Sequence, residues 1–448
     1  MGPKISIIGA GSGAFSLSLI RDICLTPNLS GCTLSLMDID PERLEAAHGL
    51  CRRYADELGF EVKLEATLDR RRALEGADFV VNTALAAGHD RLQEGWKIAQ
   101  RLGYSWGGSF HVMYDEAFWI NFYQFRLLES VIQDALELCP DAWHLQVANP
   151  VLAGITYLTR KYPQAKVVGL CHGFAGVYHI AEILGLDREG LTFEIAGVNH
   201  FVWCTHLSHK GQDVFPLLDR WIEMEAPKQP GAGDPGYPLS PKVIDLYRRF
   251  GALPIGDTAH WSGASWPFWY HSDEQTERRW GEAPAEGWRR YFDYVARNAQ
   301  EVRRISRDRS VKVTEHFPPS ISGEPMVPII ESIFCDIPRV IIGNIQNSND
   351  FVPGIPRDFE VEIPTLVSKR GIQGIRTLGL PKALLAHVLR DRVAPVNLEL
   401  EAYERGSKEL LLQLIMLDPW TRSEGQARQL LDEILALPYH EEMRAHYR

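Results

Sequence analysis

Short apolar runs alternate with longer stretches in which apolar positions recur every three or four residues. Lys4 to Ile8 reads as a buried strand that stops at Gly9. A helix is expected from about Gly13, with Phe15, Leu19, Ile20 and Ile23 on one face, ending before Pro27. Thr33 to Asp38 reads as the next strand, and a helix follows from Pro41 to about Leu58. Phe79 to Thr83, introduced by Gly76, is a third strand, and a long amphipathic helix covers roughly Ala117 to Leu138. Trp143 to Ala148 and Val167 to Leu170 complete the series. Such alternation predicts a mostly parallel sheet with helices on both faces.

Beyond about residue 190 the rhythm changes. Glu194 to His209 reads as antiparallel strand material, with Phe201-Val202-Trp203-Cys204 in one run. Residues 227–239 are rich in proline and glycine and read as loop. Helices are expected at about 241–250 and 286–306, a second β-rich stretch at about 311–366, and a helical tail at about 381–446. The pattern predicts an α/β chain: an N-terminal Rossmann-type doubly wound parallel sheet over 1–190, followed by a mixed α+β domain over 191–448.

Composition narrows the class. With 448 residues, 45% hydrophobic and 23% charged, the chain has the make-up of a globular protein of two or three domains. Acidic residues outnumber basic ones 58 to 47, giving a net charge of −11, which argues against nucleic-acid and anionic-membrane partners. No apolar run approaches the ~18 residues of a membrane span, and Ile5–Ile8 is too short for a secretory signal. Met1-Gly2 with Ser6 formally fits a myristoylation pattern, but Ser6 falls inside the first expected strand. The seven cysteines, at 24, 32, 51, 139, 171, 204 and 335, are scattered without a CxxC pair, so free thiols and a cytoplasmic location are expected.

Candidate chemistry begins at Gly9-Ala10-Gly11-Ser12-Gly13-Ala14, a G-x-G-x-x-A run between a strand and a helix. Glycine at the first two places permits a tight turn and close backbone approach to a pyrophosphate, which the helix N-terminus then attracts. Asp38, ending the second strand, is placed to bind a ribose diol, which favours NAD over its 2′-phosphate. The later strands finish in Asn82-Thr83, Asn149-Pro150 and Cys171-His172-Gly173. Taken singly, an Asn-Pro is a turn and a Cys-His is a buried thiol beside a surface imidazole. Three polar strand ends at one rim point instead to a ligand site.

Gly197-Val198-Asn199-His200-Phe201 adds a second imidazole. A thiolate and an imidazole suit a divalent metal with open positions for substrate oxygens. Asp257, after Gly256, is a general base, a helix cap or an Asx-turn residue. Trp261, Trp266 and Trp269 supply rings for a sugar face, for the core or for a subunit interface.

Together these residues resemble glycoside hydrolase family four, the NAD- and manganese-dependent glycosidases, over nearly the whole chain. Within that family the chain is most similar to the α-glucuronidase and α-galacturonidase branch, through Leu36-Met37-Asp38-Ile39-Asp40 and Pro254-Ile255-Gly256-Asp257-Thr258. The resemblance implies that Cys171 and His200 ligate a divalent metal, usually Mn²⁺. It implies that Gly9, Gly11, Ser12, Asp38 and Asn82 bind NAD, and that Asn149 and Asn199 meet the substrate. It assigns acid catalysis to His172 and proton abstraction to Asp257, a task that other branches give to a tyrosine. Many members acting on neutral or phosphorylated sugars carry Gly-Pro-Gly-Gly before the long helix. Here His111-Val112-Met113-Tyr114-Asp115-Glu116 stands there, which is compatible with a uronide.

The implied reaction is hydrolysis of an α-hexuronide by NAD-mediated oxidation at C3, metal-assisted deprotonation at C2, elimination, water addition and re-reduction, outside the usual two-carboxylate scheme. A substrate carboxylate needs a cation, and Arg91, Lys97 and Arg101 are candidates, although each also fits a solvated helix face. Two other readings share the motif: an NAD-dependent dehydrogenase of the malate or lactate type, and a non-catalytic NAD-binding sensor. The expected partner is a small carbohydrate, and likeness to the family implies a homodimer or homotetramer.

Overall fold

The computed structural model describes residues 2–105, 117–225, 238–258 and 266–448. The features expected at His111–Glu116, at 227–237 and at Trp261 lie outside the described residues. Among the described residues thirteen strands run in chain order: β1 (Lys4–Ile8), β2 (Cys32–Met37), β3 (Val62–Thr67), β4 (Phe79–Asn82), β5 (Trp143–Gln146), β6 (Lys166–Gly169), β7 (Leu191–Val198), β8 (Phe201–His209), β9 (Gln212–Asp213), β10 (Leu253–Ile255), β11 (Arg339–Gln346), β12 (Glu360–Ser368) and β13 (Gly371–Gly374).

β1 to β6 form a parallel sheet in the order β3-β2-β1-β4-β5-β6, the doubly wound arrangement expected of a Rossmann-type sheet. Their buried residues are mostly apolar, as strands covered on both faces require; Ile5, Ile7, Leu34, Leu36, Val80 and Val81 are all fully buried. Ile8 pairs with Met37 on one side and Asn82 on the other, so Gly9, Asp38 and Thr83 emerge together at one rim. Ser6 is buried in β1, where its hydroxyl donates to the Ala73 carbonyl at 2.6 Å.

The sheet does not stop at residue 190. β11, β12 and β13 extend it beyond β6 to nine strands, in the order β13-β12-β11-β6-β5-β4-β1-β2-β3. The junction is the Asn344–Gly169 pair, and across β11 Asn344 faces Glu362 of β12. The start of β12 is thereby set against the end of β6. A second sheet, β10-β8-β7 with β9 on β8, supplies the antiparallel material.

The β-rich stretch expected at 311–366 is narrower and later, because Val313–His316 and Met326–Cys335 are helical. In Met326–Cys335 the buried residues Met326, Val327, Ile329 and Ile330 recur at helical spacing, and a short apolar run is ambiguous until that period is weighed.

The helix Pro284–Arg307 packs on helices Gly13–Cys24 and Pro41–Leu58. Arg53 fastens its end by donating to the carbonyls of Ile305 at 2.9 Å and Asp308 at 3.2 Å. Its Val302 sits so close to Gly13 that a Cβ there would come within 2.4 Å of Val302 Cγ1. Trp266 is core rather than a sugar platform: it is fully buried, packs edge-on against Phe201 at 4.5 Å, and donates from Nε1 to Asp391 at 2.8 Å.

Candidate active site

The dinucleotide loop is shaped by three close approaches. Gly9 has φ +91° and lies against Ala84, where a side chain would collide with backbone at 2.6 Å. Gly11 donates its N–H to Asp38 Oδ2 at 2.7 Å, and a Cβ at Gly11 would fall 2.6 Å from that same oxygen. The Asp40 N–H donates to Asp38 Oδ1 at 3.0 Å, so both oxygens of Asp38 are oriented by backbone at the rim. Ser12 is exposed and precedes the helix Gly13–Cys24. A bare concave loop of this kind, opening on a helix N-terminus, fits a pyrophosphate.

Asn82 does not line that loop with its side chain. It is fully buried, donating to Gln146 Oε1 at 3.0 Å and accepting from the Ala84 N–H at 3.2 Å, and so props the rim from inside. Asn149 lies half-buried, just before the buried first turn of helix Val151–Lys161.

Three chain segments converge beside this rim. Cys171 follows β6. Asn199 and His200 alone join β7 to β8, since Val198 already pairs with Phe201. This tight turn demands unusual backbone: His200 adopts φ +56°, and a Cβ on Gly197 would meet the Phe201 carbonyl at 2.2 Å. Asn199 secures the turn from behind. It is fully buried, its N–H donates to Glu360 Oε2 at 3.1 Å, and its amide donates to Glu362 Oε2 at 2.9 Å. The side-chain amide expected to meet substrate is therefore turned into the protein, onto the buried Glu362 of β12.

Asp257 arrives from the turn after β10. Gly256 (φ +57°) presses on Gly173, where a Cβ would meet the Gly173 Cα at 2.6 Å. The Thr258 hydroxyl clamps this turn to β8, accepting from the Val202 N–H at 2.7 Å and donating to the Val202 carbonyl at 2.8 Å. The result is a three-residue cluster: one ligand atom each from Cys171, His200 and Asp257, all within 4.8 Å of one another. His200 Nε2 and Asp257 Oδ2 are 3.3 Å apart.

Thiol, imidazole and carboxylate on three different loops form a donor set that fits a borderline divalent cation and leaves coordination positions for substrate. Burial pushes the Cys171 thiol up to about 11, helped by the Glu362 carboxylate and opposed by His200. The Gly173 N–H donates to Cys171 Sγ at 3.4 Å. His172 faces Glu324, with Nδ1 3.5 Å from Glu324 Oε1.

The carboxylate-binding candidates are otherwise engaged. Arg91 lies between the rings of Tyr123 and Tyr439, at 5.3 and 5.0 Å. Arg101 pairs with Glu433, and Lys97 is exposed on the helix Gly88–Arg101. Sequence reading missed Glu360 and Glu362. Both are fully buried, although their every-other-residue placement reads as a solvated strand face.

Comparison with known proteins identifies the family. The family 4 glycosyl hydrolase profile matches residues 4–186, and the family 4 glycosyl hydrolase C-terminal domain matches residues 195–421. An alpha-galactosidase of Bacillus subtilis (strain 168) is 26% identical over 442 residues, spanning 96% of this chain and 95% of its own. An alpha-galacturonidase of Lachnoclostridium phytofermentans is 24% identical over 467 residues, spanning 96% and 95%. Among solved structures, a 6-phospho-alpha-glucosidase from gut microorganisms in complex with NAD and Mn²⁺ superposes with a TM-score of 0.79 at 18% identity, covering 100% of this chain and 99% of that one. Glycosidase relatives matching end to end displace the dehydrogenase reading. The chain belongs to glycosyl hydrolase family 4.

Proposed function

We propose that the protein hydrolyses α-hexuronides, galacturonides or glucuronides, using NAD and a divalent cation, Mn²⁺ by preference. The observation that carries this reading is the Cys171–His200–Asp257 cluster, set at the rim onto which the dinucleotide loop opens. The uronide choice is supported by relatives named alpha-galacturonidase in four bacteria, each matched over 96% or 97% of this chain. The NAD and Mn²⁺ held by the gut-microbial 6-phospho-alpha-glucosidase support the cofactor choice.

When bound, NAD⁺ supplies an acceptor for the C3 hydride of the sugar and later its donor, and the cation draws electron density from the sugar oxygens. The chain's own residues do the rest. The Gly9–Gly13 loop holds the dinucleotide phosphates, and Asp38, with lone pairs left after its two backbone contacts, accepts from the ribose. Cys171 and His200 hold the cation. Asp257 directs one oxygen to His200, and its other oxygen takes the C2 proton, made acidic by the neighbouring ketone. His172 protonates the departing glycosidic oxygen, and Asn149 contacts the sugar.

A panel of p-nitrophenyl α-glycosides tests this, with NAD⁺, Mn²⁺ and reductant omitted in turn. The uronides should be cleaved fastest, and only with nucleotide and cation present. Equal cleavage of neutral glycosides, or indifference to both additives, would overturn it.

A further inference from the structure

His172 is gripped by a segment the reaction does not otherwise use. The loop before helix Met326–Cys335 carries Ser322, Gly323, Glu324 and Pro325. Gly323, at φ +85°, leaves the space beside the imidazole clear of a side chain: a Cβ there would be 3.3 Å from His172 Nε2. The Phe174 ring meets the imidazole edge-on at a centroid distance of 5.6 Å. Glu324 Oε1 faces Nδ1 at 3.5 Å. One ring is thus bounded by a backbone, an aromatic edge and a carboxylate.

The loop itself is anchored. The Glu324 N–H donates to Ser322 Oγ at 3.0 Å, the Ser322 N–H donates to Asp22 Oδ1 at 3.0 Å, and the Ser322 hydroxyl donates to Asp22 Oδ2. Asp22 is 2% exposed in helix Gly13–Cys24. The dinucleotide loop leads into the start of that helix, and Asp22, near its other end, braces the loop that carries the carboxylate facing His172. An imidazolium whose Nδ1–H faces a fixed carboxylate keeps one ring orientation, and so presents its Nε2–H in a fixed direction.

We propose that Glu324 is the positioning residue for His172, aiming its Nε2–H at the glycosidic oxygen. This rests on the acid role given to His172 above. The consequence is selective: proton delivery matters for a leaving group that departs poorly as an anion and hardly at all for one that departs well. Loss of Glu324 should therefore be felt on alkyl glycosides and not on nitrophenyl glycosides.

The test uses the holoenzyme with NAD⁺, Mn²⁺ and reductant, on methyl and p-nitrophenyl α-galacturonide. Glu324→Ala should lose about tenfold or more in kcat/KM on the methyl glycoside and less than about threefold on the nitrophenyl one. Activity on the nitrophenyl substrate also reports that the variant has folded. Glu324→Gln, whose amide oxygen still accepts from Nδ1–H, should stay within about threefold of the parent on both. In a His172→Ala background, Glu324→Ala should cost nothing further. Equal losses on both substrates, or a loss that adds to that of His172→Ala, overturns the inference while the acid role stands. If His172→Ala does not itself discriminate between the two leaving groups, the acid role falls, and this inference with it.

Discussion

Asp257 Oδ2 stands 3.3 Å from His200 Nε2, on a turn that reaches this place only because Gly256 and Gly173 touch backbone to backbone. The carboxylate read from sequence as a base therefore lies within 4.8 Å of the ligand atoms of Cys171 and His200. Its two tasks separate experimentally. Cys171→Ser and His200→Ala should each weaken Mn²⁺ binding by more than about tenfold in calorimetric titration. Asp257→Asn should abolish exchange of a C2 deuterium label into water. Exchange that survives in Asp257→Asn assigns the proton transfer to another group.

The dinucleotide loop gives a second prediction. A methyl group at Gly11 has no room beside Asp38 and Arg43, whose atoms would lie 2.6–2.9 Å away. Gly11→Ala should weaken NAD⁺ binding by at least about tenfold, because backbone approach to the pyrophosphate is lost. Asp38→Ala should weaken it too and narrow the preference for NAD⁺ over NADP⁺. Fluorescence titration with both nucleotides measures each effect, and unchanged affinities would remove the loop from the site.

Asn199 carries a stability prediction rather than a direct binding one. Asn199→Ala removes the donor to Glu362 Oε2 and leaves a buried carboxyl group one hydrogen bond short. The expected loss is roughly 2–3 kcal/mol in denaturant unfolding. Mn²⁺ affinity should fall with it, since the turn holding His200 loosens. Wild-type stability in this variant would show that Asn199 faces solvent or substrate instead.

The parallel sheet is legible because its strands are mainly apolar runs closed by glycine or a polar residue, as in Lys4–Ile8 and Phe79–Asn82. The edge strand β3 escapes such a reading: only Leu64 of Val62–Thr67 is buried, so the segment looks like loop. The metal-like cluster was half legible. Cys171 and His200 stand out through their neighbours, whereas the approach of Asp257 depends on a long-range glycine contact that no local pattern encodes. Glu360 and Glu362 illustrate the same limit. Alternation marks Glu-Val-Glu-Ile as a strand with a polar face, but it cannot reveal that this face is covered by Asn199 and the turn at His200. Asn82 was found as a polar strand end and Asn199 beside His200 in the Gly-Val-Asn-His run, and the structure turns both amides inward.

Acid sensitivity has an identifiable contributor in β5. His144 is 2% exposed, and burial lowers its pKa from 6.5 to about 4, with Gln146 opposing the shift. The unfolded chain therefore binds a proton between pH 6.5 and 4 that the folded chain refuses, so stability falls as pH drops through that window. The full effect is roughly 3 kcal/mol by pH 4. His144→Asn should flatten the dependence of unfolding free energy on pH between 6.5 and 4. An unchanged slope would place the acid sensitivity elsewhere.

The central claim is that bond cleavage proceeds through a transient ketone at C3 with loss of the C2 proton. Its most direct measurement is the isotope content of the released sugar after complete hydrolysis of p-nitrophenyl α-galacturonide in D₂O, read by NMR. The account predicts solvent deuterium at C2 and no net NADH. A product that keeps its original C2 hydrogen in full would contradict it.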